Sequence, residues 1–505
     1  MIILPLDPAQ NASPAALWDF FAQCQAAAVK DARPKLVSIS LQVDALDPLA
    51  VLESIFEPGE PHFYAERPDI DSAIAGAESA VRFTAQGPDR FAAAQTWMDA
   101  MLADTIAVGD VNAPFGGPHF FTAFSFFDEV EPGEPFPAAQ VFVPRWQVAR
   151  ACTVTTAVAN VLIAPEAALE PLVDRVWRAH AKFKRFEYGS STGVSLVPAH
   201  GQDAHATIVN QTHGRDARAT FQVKETGHYR AVIARALARI AAGEFSKIVL
   251  ARVQEVVASA PLHPLRMLNG LRQRFPDCYA FSLANGTGKS FIGASPERLV
   301  RVSKGVVETE ALAGTTRRGA GASEDAALAE ALLRSDKDRR EHELVVEAVV
   351  GRLRRLGLTP GPAAAPGLRR LANLQHLHTP VRADLVPGVR LLDVLAALHP
   401  TPAVGGTPQD TALARIRELE GFPRGLYTGA LGWMNARDGG EFFVGLRSAL
   451  VEGAHARVYA GAGIVAGSTP EKEFAETELK FKAMLEALLV PVERLQTTNE
   501  TDRNG

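Results

Sequence analysis

The sequence predicts an α+β fold in which large, mainly antiparallel sheets pack together and are flanked by helices. Strand-like and helix-like runs are mixed along the 505 residues, without the strict strand–helix alternation of a parallel α/β protein. Hydrophobic residues make up 47% of the chain, which is ordinary for a globular protein with a substantial core. Length alone favours about three domains.

Residues 1–224 are interpreted as the N-terminal part of the fold. Up to about residue 190 the sequence is rich in Ala and Pro and contains clusters of aromatic residues. The segments 116–121 and 141–146 have the character of strands separated by turns. This half therefore contributes strands to the predicted sheets.

A two-copy repeat follows, in which residues 200–207 are echoed by residues 213–220. Two copies are too few for a solenoid. The His and Asp residues of the repeat could suggest a metal site, but its small polar residues are typical of loops. We therefore expect a mobile surface insertion at 198–222.

Residues 225–492 show clearer element boundaries and are interpreted as the catalytic region. The predicted elements are a helix at 229–242, a strand at 245–252, strands within 278–302 and at 306–312, a helix over 323–356, a loop at 359–367, strands at 425–434, 441–452 and 456–465, and a helix over 470–490. Residues 493–505 are expected to form a disordered tail.

Composition excludes several classes of protein. The net charge is −5, from 52 basic and 57 acidic residues, so no basic surface indicates nucleic-acid binding. Cys24, Cys152 and Cys278 lie far apart without metal-ligand spacing, which fits a reducing compartment. The chain has no signal-like start and no run of about 18 apolar residues. We expect a soluble cytoplasmic protein with no membrane segment.

Lys247 lies within the apolar run 245–252. Burying a lysine in a strand is costly unless the amine has a partner or a role. An uncharged amine is a good proton acceptor, so Lys247 is a candidate general base. Taken alone, Lys247 is better explained as an edge-strand lysine that keeps its amine in water. The other motifs of the chain reverse that preference.

Four carboxylates form two pairs on predicted helices. Asp338 and Glu341 form one pair, and Glu473 and Glu476 the other, each with i, i+3 spacing that places both side chains on one helix face. If the two faces meet, they form an oxygen-rich site suited to Mg²⁺. The alternative, which is the more common fate of acidic pairs, is a solvated helix surface.

Several other residues each have two possible roles. Glu297 follows a Ser-Pro turn and is either a surface residue or a carboxylic acid held at a cleft wall. The glycines in Gly461–Gly463 interrupt a strand, which indicates either a bulge or close approach of the backbone to a ligand. Arg447 and Lys480 are either exposed charges or partners of an anionic substrate.

These segments, in this order, resemble the chorismate-utilising enzymes, and most closely the isochorismate synthases. The matching stretches are residues 247–252, 293–297, 309–315, 341–342, 374–377, 398–404, 459–465 and 473–476. The N-terminal half matches more loosely. Thr428 and Gly445 stand where relatives more often have alanine. The resemblance implies the chorismate-utilising enzyme fold.

Three positions separate the branches of that family. Ammonia-using members carry glutamine where this chain has Lys247, so the resemblance implies that water is the nucleophile. The aminodeoxychorismate branch has a nucleophilic lysine that is missing from the run 311–315. Anthranilate and salicylate synthases usually carry threonine where this chain has Ala403. The resemblance thus implies an isochorismate synthase without a glutaminase subunit.

The implied reaction is Mg²⁺-dependent conversion of chorismate to isochorismate, which would feed menaquinone, siderophore or salicylate biosynthesis. Lys247 would activate water for attack at C2, and Glu297 would protonate the departing C4 hydroxyl. The absence of a dinucleotide fingerprint agrees with a reaction that has no net redox change. The alternatives are a salicylate synthase, which goes on to eliminate pyruvate, and a non-catalytic relative that binds chorismate.

The resemblance also implies a set of ligand contacts. Glu341 and Glu476 would bind Mg²⁺ directly, and Asp338 and Glu473 would do so directly or through water. The residues implied to contact the substrate are Leu312, Ala313, Gly314, Thr315, His376, Ala403, Arg447, Tyr459, Gly461, Ala462, Gly463 and Lys480.

Overall fold

The structure is a computed structural model. The residues it describes are 1–4, 13–55, 59–189, 221–362 and 364–488. The repeat at 200–220 and the tail at 493–505 lie outside the described residues, so both expectations stay predictions. Of the insertion expected at 198–222, only the last two residues are described, and they begin a strand.

The described chain forms 21 strands, all connected through hydrogen-bonded neighbours. In chain order they are β1 (Ile2–Leu4), β2 (Lys35–Val43), β3 (Pro61–Arg67), β4 (Ser72–Ala85), β5 (Thr105–Gly109), β6 (His119–Phe124), β7 (Ala139–Ala151), β8 (Val154–Ile163), β9 (Phe221–Thr226), β10 (Lys247–Ala258), β11 (Tyr279–Asn285), β12 (Lys289–Ser295), β13 (Arg298–Ser303), β14 (Val306–Arg317), β15 (Gly367–Arg370), β16 (Leu374–Asp384), β17 (Gly406–Thr407), β18 (Ala430–Asn435), β19 (Gly440–Val444), β20 (Ser448–Glu452) and β21 (His455–Val465).

Helices lie between and outside these strands. In chain order they are α1 (Pro14–Asp31), α2 (Pro48–Ile55), α3 (Arg90–Ala103), α4 (Leu169–Gly189), α5 (Tyr229–Ala241), α6 (Pro264–Arg274), α7 (Ala322–Arg334), α8 (Asp336–Arg355), α9 (Leu391–Leu398), α10 (Gln409–Glu420) and α11 (Pro470–Leu488), with a short 3₁₀ turn at Pro68–Ile70. None of the helices in the described ranges combines the length and apolar character needed to cross a bilayer.

Three branches extend from the long pair β4–β7; two of them are called the arms, and the third runs from β7 through β8, β2, β5 and β1. From β4, the first arm continues through β3, β11, β12, β20, β21, β10 and β9. From β7, the second arm continues through β6, β18, β19, β13, β14, β16 and β15. The β4–β7 pairing is interrupted by a register shift between Ser79 and Val81, which divides the two long strands into two halves. Among the described strands, only β5 makes parallel pairs, with β1 and β2.

An aromatic core fills the space between the two arms. Phe63 of the first arm stacks on Phe121 of the second, with ring centroids 4.7 Å apart. Tyr279 stacks on Phe443 in the same way at 4.9 Å. Because Phe63 and Phe121 come from the first half of the sequence and the other two from the second, the predicted division at residue 224 runs through a shared core.

Helices cover the outer faces of the arms. The largest apolar cluster joins α5, α8, α9 and α10 to strands that include β10, β14 and β19. Helices α6 and α11 pack against β10, β12, β20 and β21 through residues such as Leu271 and Phe481. This places α8 and α11, which carry the predicted acidic pairs, beside the ends of β14 and β21.

The predicted fold class is confirmed, with corrections to individual elements. The helix predicted over 323–356 is two helices, because Ser335 has extended backbone (φ −67°, ψ 112°) and its hydroxyl accepts the Asp338 N–H at 3.3 Å. The strand region 278–302 forms three strands, and 441–452 forms two. The strand predicted from 425 begins at Ala430, since the residues before it turn through a positive φ at Thr428.

Candidate active site

A cavity lies where β14, β16 and β21 meet the helices α8 and α11. The predicted site residues that line it are Glu297, Leu312, Ala313, Gly314, Thr315, Glu341, His376, Ala403, Arg447, Tyr459, Gly461, Gly463, Glu476 and Lys480. Sequence reasoning missed the lining residues Val249, Pro296, Val404, Tyr427, Leu446 and Ala460. Most of these are apolar wall positions, which carry no chemical signal in a single sequence.

Lys247 is the first residue of β10 and is fully buried. Its Nζ lies 3.0 Å from Glu341 Oε1, a group that lines the cavity. The angle is outside the hydrogen-bond range, and Nζ has no other partner among the described residues. Burial overturns the alternative of an edge-strand lysine with its amine in water. The amine is instead held beside the cavity, behind the Glu341 carboxylate.

Glu297 lies in the two-residue connection between β12 and β13 and is 4% exposed. Burial raises the pKa of its carboxyl to about 8. The negative charge of Glu310 adds to this increase, while Lys247, among other cations, lowers the pKa. The alternative of a surface turn residue is therefore wrong, and Glu297 is largely protonated at neutral pH.

Each of three site carboxylates is paired with a lysine. Glu341 faces Lys247, Glu476 Oε1 accepts from Lys480 Nζ at 2.8 Å, and Glu473 Oε1 accepts from Lys337 Nζ at 2.8 Å. The fourth carboxylate, that of Asp338, accepts from the Ser335 hydroxyl that caps α8. Glu341 and Glu473 are buried, so a fully solvated helix surface does not describe these pairs.

The four carboxylates fit a hard cation by chemistry and by charge. Burial raises the pKa of Asp338, and the charges of Glu341 and Glu476 add to the increase. Burial likewise raises the pKa of Glu473, again with a contribution from Glu476. Although burial opposes it, Lys247 instead lowers the pKa of Glu341. The repulsion that a divalent cation would offset is therefore the one felt by Asp338 and Glu473. Even so, within the described ranges no three acidic, His or Cys side chains already converge at metal-binding distance, and Asp338 and Glu473 lie outside the cavity lining.

A buried cation lies across the cavity from the acidic helices. Arg447 is 6% exposed, and in the described chain no carboxylate lies within ion-pair distance of it. Its Nη2 donates to His376 Nε2 at 3.3 Å. His376 must then carry its proton on Nδ1, which donates to Thr315 Oγ1 at 3.1 Å. Burial and Arg447 hold the pKa of His376 well below its usual value, so the ring is neutral.

Glycines let the strand β21 approach the site closely. A Cβ at Gly463 would lie 2.2 Å from Glu341 Oε1, and one at Gly461 would lie 2.9 Å from the Tyr427 hydroxyl. The register with β10 is continuous here, so the bulge alternative is wrong. Ala462 is not among the residues that line the cavity, and its side chain lies on the opposite face of the strand from Gly461 and Gly463. Lys480 Nζ donates to the Gly461 carbonyl at 2.7 Å.

Arg424 holds one wall of the cavity together, a role that sequence reasoning missed. It is 1% exposed and forms a buried ion pair with Glu420. Its guanidinium also donates to the carbonyls of Val404 at 2.9 Å and Val249 at 2.8 Å. The Val404 segment, next to Ala403, is thereby tied to the strand that begins with Lys247. The sequence feature that could have indicated this role is an arginine within an Arg-Gly-Leu-Tyr turn.

The cavity is lined by a protonated carboxyl, by carboxylates and by an arginine that pairs with no carboxylate in the described chain, and a buried amine lies behind one wall. These groups define an acid–base site for an anionic substrate. Residues 20–489 match the sequence model described as "Chorismate binding enzyme", and the chain belongs to this family. The resemblance drawn from the motifs is thus confirmed.

Among the relatives and solved structures to which the chain is similar are isochorismate synthases. The chain is 36% identical over 463 residues to the salicylate biosynthesis isochorismate synthase of Pseudomonas aeruginosa, covering 90% of each protein. It is 29% identical over 470 residues to the isochorismate synthase MenF of Bacillus subtilis, covering 90% of this chain and 93% of that protein. The structure of MenF, the menaquinone-specific isochorismate synthase of Escherichia coli, superposes with a TM-score of 0.69 at 26% identity, covering 93% of this chain and all of that one.

Proposed function

We propose that this chain is an isochorismate synthase, an isomerase that converts chorismate to isochorismate. The observation that carries the proposal is a buried lysine amine, that of Lys247, held beside a cavity that the protonated carboxyl of Glu297 lines. Relatives that match nine tenths of the chain and are named isochorismate synthases support it. The reaction adds water at C2 and releases the C4 hydroxyl, without net oxidation or reduction.

Lys247 supplies the base in this proposal. In its uncharged form, the amine takes a proton from water as the water oxygen attacks C2 of the ring. The amine is excluded from bulk solvent and lies 3.0 Å from the Glu341 carboxylate. A fixed base in a dry pocket raises the effective concentration of the attacking group.

Glu297 supplies the acid. Its carboxyl is buried and has a pKa of about 8, so it holds a proton at neutral pH and can give it to the departing C4 hydroxyl. The hydroxyl leaves as water while the ring double bond shifts. One proton is taken up by Lys247 and one is given up by Glu297, so the overall reaction is an isomerisation.

The remaining lining residues orient the substrate. Arg447, which lacks a carboxylate partner in the described chain, would pair with a carboxylate of chorismate. Lys480 and the backbone amides near Gly461–Gly463 would hold the other anionic groups. The neutral His376 ring, oriented by Arg447 and Thr315, would lie near the ring and the C4 hydroxyl.

Glu341 and Glu476 would hold Mg²⁺, with Asp338 and Glu473 acting directly or through water. When bound, the ion would offset the charge of the substrate's ring carboxylate against the acidic helices and fix its position. The contribution of the neighbouring carboxylates to the raised pKa of Asp338 and of Glu473 supports this assignment.

Product identification tests the proposal. Purified protein incubated with chorismate should yield isochorismate by chromatography with Mg²⁺, and little or none after chelation. A strong salicylate fluorescence signal would instead identify a salicylate synthase. Anthranilate formed with ammonium salts would identify an ammonia-using enzyme that works with a glutaminase subunit. Chorismate binding without turnover would identify a non-catalytic relative.

A further inference from the structure

A second carboxylate, Glu310, lies behind the proposed acid and outside the cavity lining. It belongs to β14 and is 7% exposed. Its Oε1 accepts the backbone N–H of Arg298 at 2.9 Å. Its Oε2 accepts from Arg369 Nη1 at 3.2 Å and lies 3.0 Å from His378 Nε2. The proposed mechanism gives this group no role.

The contact with Arg298 bears directly on Glu297. The N–H of Arg298 belongs to the peptide that joins it to Glu297, so the Glu310 carboxylate fixes the orientation of that peptide. The Glu297 carbonyl, on the same peptide, accepts from Val444 N at 3.1 Å. Both polar groups of the peptide are therefore held, one by the neighbouring strand and one by a buried charge.

We propose that Glu310 is a positioning residue for Glu297, fixing the peptide that carries the acid and placing a negative charge behind its carboxyl. Glu310 does not touch the substrate, so it acts only through Glu297. The inference rests on the proposed function for its kinetic part. Its structural part, the effect on the proton affinity of Glu297, is independent of the reaction.

The charges around both groups support an electrostatic role. After burial, Glu310 is the largest contributor to the raised pKa of Glu297. Lys247, Lys480 and Arg369 face Glu297 from other elements and lower that pKa. Glu310 itself faces His378 and Arg369, which lower its own pKa, so it stays ionised although it is buried. The negative charge of Glu310 thus opposes the surrounding cations and favours the protonated acid.

Infrared titration of Glu297 tests the electrostatic effect without any turnover. The carbonyl stretch of the protonated carboxyl is assigned as the band lost in E297Q, and its pH midpoint is then measured. The midpoint should lie near pH 8 in the native protein and should move to lower pH in E310Q. A second variant, R369Q, removes a cation and should move the midpoint to higher pH, which keeps the test decisive if E310Q folds poorly.

Glu308 provides a matched control. It lies two residues away on β14 and also contacts Arg298, but through the side chain, with Oε2 3.1 Å from Nη1. E308Q therefore removes a carboxylate from the same strand without releasing the 297–298 peptide. The midpoint should stay in place in E308Q.

Kinetics test the positioning effect. E310Q keeps an oxygen for the Arg298 N–H, so its kcat at neutral pH should be largely retained while the alkaline limb of kcat/KM moves to lower pH. E310A loses the oxygen as well, and its kcat should fall by up to about 10²-fold with KM nearly unchanged, as expected for a misplaced catalytic group.

An unchanged infrared midpoint in both E310Q and R369Q would overturn the inference, whether or not the protein makes isochorismate. A shifted midpoint in a protein that makes no isochorismate would uphold the inference and refute the proposed function. An equal midpoint shift in E308Q would also contradict the inference, because the effect on Glu297 would then not be specific to Glu310.

Discussion

Two ionisable side chains, one proposed as a base and one as an acid, are buried beside the cavity. Burying either one would destabilise the folded protein if its neighbours did not set its charge state. Lys247 has no solvent exposure, and Glu297 is 4% exposed. A buried charge is costly unless it is paired, and a buried carboxyl avoids the cost by keeping its proton. The fold pairs the amine with Glu341 and leaves the Glu297 carboxyl protonated. The carboxyl thus holds the proton that an acid needs, and the ion pair holds the amine in place beside the cavity.

Replacing Lys247 with glutamine should lower kcat by about 10²–10⁴-fold, because the amide cannot accept the proton from water. The measurement is isochorismate formation at saturating chorismate. Lys35 offers a matched control, since it is also buried and paired, with Asp104 at 2.8 Å and Asp31 at 2.7 Å. K35Q should lose stability but keep its turnover. A K247Q enzyme within tenfold of the native rate would rule out the base.

Replacing Glu297 with glutamine should abolish activity and yet increase stability at neutral pH. The folded-state pKa of about 8 lies above the ordinary value of 4.5, so between these pH values the unfolded chain releases a proton that the folded chain retains. Glu297 therefore lowers the free energy of unfolding as pH rises from about 4.5 to about 8, with no further change above that. The total effect is on the order of a few kcal/mol.

Chemical denaturation of E297Q and the native protein over a pH series measures this difference. The gain in E297Q should be smallest near pH 4.5, should grow toward pH 8 and should then level off. A gain that shrinks as pH rises would mean that Glu297 is ionised in the folded protein.

The residues that do the proposed chemistry could be singled out from the sequence, whereas those that hold them could not. Lys247 and Glu297 stand in short, distinctive motifs; Glu297 lines the cavity, and Lys247 lies behind the lining residue Glu341. Glu310 and Arg424 act through partners far away in sequence, such as Arg369 and Val249. No local spacing reports such contacts, because only the folded sheet brings the partners together.

At the scale of elements, the sequence predicts the kind of element better than its ends. The helix predicted at 229–242 extends one residue beyond α5, and the helix predicted at 470–490 begins at the same residue as α11. The break between α7 and α8 was missed although the sequence contained its signal. Ser335 followed by Asp338 three residues later is a helix N-terminal pattern, and the two side chains do bond to each other.

The strand β21 needs glycine at position 463 for a reason specific to the site. G463A would put a Cβ 2.2 Å from Glu341 Oε1 and 3.3 Å from Lys247 Cε, so the ion pair must move. A displacement of about 1 Å at catalytic groups costs about 10²-fold in rate, and we expect kcat to fall by that order. The measurement is kcat together with Mg²⁺ binding by calorimetry, since Glu341 is also a proposed ligand.

Gly351, inside α8, is the control for this glycine. A Cβ there would meet nothing within 4 Å, so G351A should leave kcat unchanged. It should also stabilise the helix by about 0.5–1 kcal/mol, as alanine does in place of glycine. Equal losses of activity in G463A and G351A would show that the effect does not come from the crowded Glu341 carboxylate.

At the scale of the whole molecule, the two halves of the chain form one structure. Strand β3 pairs with β11, and β6 pairs with β18, so each arm joins strands from before residue 224 to strands from after it. The cavity depends on this arrangement, because Tyr427 and Tyr459 line it and also stack at 5.0 Å at the edge of the aromatic core. Which strands pair over such distances could not be read from local patterns. The fold was predicted instead from the resemblance to the chorismate-utilising enzymes.

Removal of one aromatic ring should therefore destabilise both halves together. Phe121 is fully buried and stacks on Phe63, so F121A should cost about 3–5 kcal/mol. Hydrogen exchange followed by mass spectrometry should show the same loss of protection in peptides from β6 and from β11, since both open in one global unfolding event. W18A, at a residue that is 40% exposed on α1, should change stability by no more than about 0.5 kcal/mol. Loss of protection confined to peptides before residue 224 would mean that the halves unfold separately, and the shared core would not be the unit that holds the cavity.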